Sequence, residues 1–394
     1  MIPRTKVSYR LPDLVRAFFT SEKGDRHRAE LTRRLAELIG TQQVVLTASG
    51  RGALYILLSC LPQRRILVPA YTCKAVVEAA RLAGKEVLFG ESEENGFNMS
   101  PQSLSRWLDA DTILLATHQF GIPCDIRPML EAARERGAFV VEDAAASFGS
   151  RIDGHLTGTF GDAAIFSFDS TKLINVPLKA GFLVVRDASL FTRCQAFAAA
   201  NTSPMPWMRK MRYLLLGSVL IALEEPALYR LFHNLKFRWR GRFTDDSAGL
   251  QPRLGPFYRD AMAEWQAALA MPQIECLDLL IAKRRRLYAE YLRRLRGATS
   301  FALPAMDANN EWAPIRFPIL VHRDKMKFYN KAARRGVDFA FSFTYLASPS
   351  EYVHSHRLAA SILDLPFYER LTDHELDQVV GVLRELDGVT AAGA

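Results

Sequence analysis

Between residues 44 and 187, seven short apolar runs take turns with longer amphipathic stretches. The runs are VVLTA (44–48), RILVPA (65–70), EVLFGE (86–91), TILLATH (112–118), AFVVEDAA (138–145), AAIFSF (163–168) and AGFLVVRD (180–187). Most are rich in Val, Ile, Leu and Phe and do not alternate with polar residues, which is the pattern of strands covered on both faces. Stretches between them, such as 51–61, 73–83 and 125–136, keep the period of a helix. Strands alternating with helices predict an α/β architecture, a mostly parallel seven-stranded sheet with helices on both faces. In such a sheet ligands gather beyond the carboxyl ends of the strands. Ser49, Tyr71, His118 and Asp143 end or follow four of the runs and are expected on one rim.

The remainder of the 394 residues predicts a second unit. We expect a large domain over 1–260 and a smaller α+β domain over 261–394. The second opens with a long amphipathic helix, EWQAALAMPQIECLDLLIAKRRRLYAEYLRRL, with a break expected at Pro272. A strand (315–322), a basic helix (323–335) and a final helix follow. In the last, Thr372 and Glu375 have capping-box spacing, Leu371 can staple onto Leu376, and Leu376, Val379, Val380 and Leu383 form one apolar stripe.

Composition excludes several classes. With 24% charged and 49% apolar residues, the chain is neither a disordered polymer nor an integral membrane bundle. Its five cysteines, without C-x-x-C spacing, argue against a disulfide framework or zinc cage and for a reducing, cytoplasmic setting. His155 and the pair His354/His356 lack acid or cysteine partners at ligand spacing, so no metal is expected and these histidines are expected at the surface. The first residues lack a signal-peptide core, and the apolar run 213–223 is too short to span a bilayer. The net charge of +9 is concentrated: residues 191–243 carry nine Arg and Lys against Glu224 and Glu225, interleaved with Trp207, Tyr213, Tyr229, Phe232, Phe237 and Trp239.

Single residues in the α/β region carry little information, but their combination carries more. Ser49-Gly50-Arg51 opens a helix directly after a strand, which provides backbone N–H groups and a dipole for a phosphate. Arg51 adds a bidentate cation, and Ser167 can add a hydroxyl. Asp143 ends the strand FVVED, and Lys172 follows AAIFSF in the turn FSFDSTK. A phosphate seat, a carboxylate for a pyridinium nitrogen and a lysine that can form a Schiff base are what a pyridoxal 5'-phosphate enzyme needs.

With these residues in view, the chain resembles the sugar-nucleotide aminotransferases of the DegT/DnrJ/StrS type. The resemblance runs through TASGRGAL, VPAYT, HQFGIPCDI, VEDAAAS, GDAAIFSFDSTK, EWQAALAMPQIECLD and LDLPFYERLTDHELDQVV, from about residue 40 to 387. It implies the type I fold of pyridoxal phosphate enzymes and a homodimer with shared active sites. It also implies a ping-pong transfer of an amino group from an amino acid, glutamate, to a nucleotide-linked keto-deoxy sugar for polysaccharide or glycoconjugate synthesis. Lys172 then matches the lysine that holds the cofactor as an internal aldimine, Asp143 the partner of the ring nitrogen, and Gly50, Arg51 and Ser167 the phosphate positions. The retained Lys172 argues against the dehydratase branch, which has histidine there.

Four departures accompany the resemblance. Ala146 replaces an amide expected near the cofactor's phenolic oxygen, for which Gln119 could substitute. Cys73 replaces the stacking aromatic, leaving Tyr71 or His118 to cover the ring, His118 being equally readable as a satisfied core histidine. Lys179 stands where an acid is common. Arg259 takes the place of an Asn on a loop facing the dimer partner and could reach the partner's cofactor phosphate.

Three further readings concern partners and rivals. The basic stretch is either a lid or dimer insertion or a peripheral membrane element over about 200–243, suited to a lipid-linked or amphiphilic keto acceptor. Nucleic acid is not expected, for want of a reader module. No G-x-G-x-x-G or GxxxxGK[ST] follows a strand, which leaves a non-catalytic relative of the fold as the rival to an enzyme.

Overall fold

The computed structural model describes residues 1–104, 106–240, 253–305, 309, 311–344 and 346–388, and of 236–240 the backbone alone. The expected basic and aromatic side chains from Lys236 through Arg242 therefore lie outside the described residues. Two helices, α1 (Leu11–Phe19) and α2 (Arg26–Ile39), lead into the alternating region. It runs β1 (Val44–Thr47), α3 (Gly50–Cys60), β2 (Arg65–Pro69), α4 (Lys74–Leu82), β3 (Glu86–Gly90), β4 (Thr112–Thr117), α5 (Ile126–Arg136) and β5 (Phe139–Asp143). A hairpin of β6 (Arg151–Ile152) and β7 (His155–Leu156) intervenes before β8 (Ala163–Ser167) and β9 (Gly181–Val185).

All seven expected strands form one sheet, in the order β1-β9-β8-β5-β4-β2-β3. The pairings from β3 through β8 are parallel, and β9 is antiparallel to both of its neighbours. Two apolar clusters cover its faces, one including Phe166, Phe168, Phe182 and Trp265, the other Leu57, Val68, Val141 and Leu183. That double cover is why the strands lack polar alternation.

The insert folds as helices: α6 (Ala188–Asn201), α7 (Trp207–Ala222) and α8 (Pro226–Arg240), followed by the short α9 (Pro256–Arg259). The expected long helix is two, α10 (Glu264–Glu275) and α11 (Leu277–Arg294). The break falls at Cys276 rather than Pro272. Pro272 lies inside α10, where its missing N–H forfeits one bond without ending the helix, and Cys276 leaves helical geometry at φ −99°, ψ 15°.

The smaller unit contains β10 (Phe301–Ala302), β11 (Phe317–Val321), α12 (Lys325–Arg334), α13 (Val353–Ser361), β12 (Ile362–Leu365) and α14 (Asp373–Asp387). Its core gathers Tyr291, Phe317, Tyr329, Phe339 and the α14 stripe, with Leu371 packed against it. The reciprocal cap forms: Glu375 N–H donates to Thr372 Oγ1 at 3.1 Å, and Thr372 N–H donates to Glu375 Oε2 at 2.9 Å. α10 packs into the large sheet's core, and α11 contributes Leu277 and Ile281 to that core and Leu287, Tyr288 and Tyr291 to the smaller one.

The first ten residues cross between units. Ile2 pairs with Val337 and sits in the small domain's core, while Ser8 bonds Asn175 and Glu369. Arg4 meets the buried Asp338 at 3.0 Å, and Asp338 also accepts from Tyr229 of α8 (2.5 Å) and Tyr329 of α12 (2.7 Å).

Candidate active site

The cleft beyond the carboxyl ends of the central strands has a volume of about 210 Å³. Of the residues named from sequence, Gly50, Arg51, Cys73, Gln119, Asp143, Ala146, Ser167 and Lys172 line it together. They arrive from α3, the start of α4, the turn after β4, β5, β8 and the turn after β8, so the sheet's topology gathers residues more than 120 positions apart.

One wall is the N-terminus of α3. Ser49 caps it, accepting from Gly52 N–H at 3.0 Å. A Cβ on Gly50 would lie 2.8 Å from the Ser167 Cβ, and one on Gly52 would lie 2.7 Å from the Phe257 carbonyl oxygen. These two glycines let the helix end approach β8 closely enough for its N–H groups, Arg51 and Ser167 to face one anion. Arg51 is steadied by Glu78 at 3.5 Å and by the Phe257 ring at 5.5 Å.

At the other end stand Asp143 and Lys172. Asp143 is buried and accepts from Ala145 N–H at 3.0 Å. Burial raises its pKa, against the opposing fields of Lys172 and His118. Burial likewise pulls the Lys172 ammonium below the ordinary lysine value, and Arg316 adds to the fall while Asp169 and Asp143 oppose it. Burial thus disfavours the charged forms of both Asp143 and Lys172.

Four expected site residues are placed elsewhere. Ser49 spends its hydroxyl on the helix cap and the Phe257 carbonyl (2.7 Å), so it does not face the cleft. Tyr71 is fully buried, with its hydroxyl donating to the Ser342 carbonyl at 3.1 Å. His118 is also fully buried: the Cys124 N–H donates to Nδ1 at 3.0 Å, which leaves the proton on Nε2 to reach Glu142 at 3.0 Å. It is a satisfied core histidine beneath the strand ends, and neither it nor Tyr71 lines the cleft. Arg259 is exposed at the end of α9, outside its own chain's cleft. His354 and His356, expected at the surface, are half-buried, and only His155 is exposed.

Gln119 does line the cleft, but its amide nitrogen is committed to the Tyr71 carbonyl at 2.9 Å. Lys179 pairs with Asp169, so the cation standing where an acid is common is neutralised within the site. Beneath the strand ends, Glu142 accepts from Gly158, Phe160 and Gly161 N–H as well as facing His118. Burial raises its pKa, but His118 and these N–H groups outweigh it and hold the carboxyl below its usual range. Glu142 thus fixes the end of β5 that carries Asp143.

Sequence reasoning missed Arg316, Phe343 and Thr117. Arg316 reaches the cleft from the small domain, paired with Asp364 at 2.7 Å. Phe343 lines the same wall at φ 44°, stacked on Phe120. Thr117, beside Asp143 across the β4–β5 pairing, lines the cleft with a buried hydroxyl that has no partner. For Thr117, its position one residue before His118 at a strand end was the available signal.

Pyridoxal phosphate fits these residues. The close approach at Gly50 shapes a phosphate seat, the buried Asp143 suits a cationic ring nitrogen, the amine of Lys172 is inclined to be neutral, and the Thr117 hydroxyl awaits a polar neighbour.

A sequence model of the DegT/DnrJ/EryC1/StrS aminotransferase family matches residues 13–384. A GDP-perosamine synthase of Escherichia coli O157:H7 is 32% identical over 181 residues, which is 45% of this chain and about half (49%) of that relative's length. A UDP-N-acetyl-3-dehydro-alpha-D-glucosamine 3-aminotransferase of Acidithiobacillus ferrooxidans is 24% identical over 92% of this chain and 88% of that one. Two solved structures share the fold. A DegT DnrJ EryC1 StrS aminotransferase from Brucella abortus has a TM-score of 0.72 at 20% identity, over 96% of each chain. A sugar aminotransferase from Micromonospora echinospora has a TM-score of 0.72 at 19% identity, over 98% of this chain and 100% of that one.

Proposed function

Because the chain belongs to the DegT/DnrJ/EryC1/StrS aminotransferase family, we propose that it moves the amino group of an amino acid, glutamate, to a nucleotide-linked keto-sugar in two half-reactions. The observation that carries this reading is the meeting of Lys172, Asp143 and the Gly50–Ser167 seat in one cleft. Sugar-nucleotide activities in the names of relatives support the acceptor class.

When bound, pyridoxal phosphate supplies an aldehyde carbon and a ring that accepts electrons. The chain supplies the rest. Lys172 Nζ would supply the amine that holds the cofactor and a base that takes and returns protons within the cleft. The Asp143 carboxylate holds a proton on the ring nitrogen, and Glu142 with His118 keeps that strand end in place. The α3 N–H groups, Arg51 and Ser167 Oγ orient by gripping the phosphate. Arg316 offers a cation for a substrate carboxylate, and Phe343 excludes water on the small-domain side. A substrate group takes over the position left open at Ala146, since the Gln119 amide nitrogen is held by the Tyr71 carbonyl.

We place the active enzyme in a homodimer, with the exposed Arg259 reaching the partner's cofactor phosphate. A second reading, a keto acceptor held on a lipid at the inner membrane face, is favoured by apolar side chains that α7 and α8 leave in solvent.

The test uses purified protein loaded with pyridoxal phosphate. Absorbance of the lysine-bound cofactor should bleach with glutamate and return with GDP- or UDP-linked keto-sugars. Lys172→Ala should lower turnover at least about a thousandfold. Turnover at the wild-type rate would overturn the assignment, and protein that neither binds the cofactor nor takes colour would favour the non-catalytic rival. For the shared site, mixing inactive Lys172→Ala with Arg259→Ala protein should restore activity that neither has alone.

A further inference from the structure

We infer that α1, α7 and α8 form a docking surface for a membrane bearing anionic lipid headgroups. This goes beyond the catalytic reading and does not depend on which acceptor the cleft takes. Twelve of the sixteen large hydrophobic side chains exposed among the described residues lie on these three helices. Each helix carries three of them on one stripe, at helical spacing: Leu11, Val15 and Phe18 on α1, Met208, Leu215 and Val219 on α7, and Leu228, Phe232 and Leu235 on α8. Phe19 and Trp207 are 76% and 72% exposed.

The opposite face of each helix is anchored. A Cβ on Gly217 of α7 would lie 3.2–3.3 Å from the Leu14 methyls of α1, and Lys210 Nζ donates to the Thr20 carbonyl at 2.8 Å, so the two helices lie side by side and run in opposite directions. Tyr213 and Leu214 enter the large domain's core. Tyr229 and His233 tie α8 to Asp338 and Tyr329. The apolar stripes are therefore the faces left over after the helices have docked, not the result of loose packing.

Charge selects the occupant. The stretch 191–243 carries nine cations against two acids; Arg209 and Lys210 are paired with Asp260 and Glu22, and Arg212 stands exposed beside the α7 stripe. A two-fold contact with a second copy would press this surface against itself and bring cations against cations. An anionic bilayer instead accepts apolar side chains at the headgroup–acyl boundary and neutralises the flanking Arg and Lys. No described helix is long and apolar enough to cross a membrane, so the contact is peripheral.

Flotation of the full-length, cofactor-loaded protein tests the inference. The probes are vesicles of phosphatidylcholine alone and of phosphatidylcholine with phosphatidylglycerol. The protein should float with the anionic vesicles only, and raised salt should release it. Leu215→Glu/Val219→Glu, both exposed, should lower the bound fraction roughly tenfold. The glutamate half-reaction should be unchanged, which separates a failure here from a failure of the catalytic assignment. No flotation at any composition, or a variant that floats like the wild type, would overturn the inference. So would sedimentation showing that the variant only splits a dimer while the wild type never floats, an outcome that assigns the surface to a second copy.

Discussion

Lys172 has an acid–base behaviour that its neighbours set. Burial lowers its pKa while the Asp169 carboxylate opposes the fall, so removing that charge lowers the pKa further. Capture of pyridoxal phosphate needs the neutral amine, so its rate should rise with pH below the ordinary lysine value of about 10.4. In Asp169→Asn that rise should move to lower pH, read from the rate of colour formation on adding cofactor to the stripped protein. A shift to higher pH would contradict the electrostatics described here. At the phosphate end, a Cβ on Gly50 meets Ser167 at 2.8 Å with the backbone close behind. Gly50→Ala should therefore cost about 1–3 kcal/mol of stability and loosen the cofactor, measurable by its equilibrium release on dilution.

The sequence revealed residues at this scale unevenly. Lys172 and Asp143 were legible because each ends or follows a strand and has a chemistry that few other roles require. Ser49 and His118 have equally good positions, but a hydroxyl at a helix start and an imidazole near a carboxylate have structural uses as well, and here those uses take them. Arg316 and Phe343 could not be found by reading along the chain, since only tertiary closure carries the small domain onto the cleft.

Elements were more legible than sites. Strands buried on both faces produce runs whose ends differ from the observed strands by one or two residues, because apolar cover and strand extent coincide. The last helix was marked by its own cap. Thr372→Ala should cost about 1 kcal/mol, seen as a lower midpoint in urea with activity retained, since α14 lies away from the cleft. Pro272 misled because proline removes one hydrogen bond but does not dictate where the next helix begins. The insert was read correctly as basic and apolar, yet its division into α7 and α8, with one anchored face each, depends on partners remote in sequence.

For the whole molecule, the buried Asp338 is a junction of the N-terminal segment, α8 and the small domain. Burial raises its pKa, but His233, Arg4, Tyr229 and Tyr329 together hold it below its usual range. A carboxyl depressed in the folded state adds stability that is full above its unfolded value, about 3.9, and fades as pH falls through the folded one. Asp338→Asn should therefore lose stability at neutral pH and show a smaller further loss on acidification than the wild type, by calorimetry across that range. An unchanged acid dependence would mean that the carboxylate is not the group responsible.

That junction has a mechanical corollary. Residues 1–10 act as a stitch, fastened at Val337, Asp338 and Glu369 on one side and at Asn175 on the other. A stitched body melts as one, so heat should unravel both lobes together. Once the thread is trimmed, each lobe is free to melt at its own temperature.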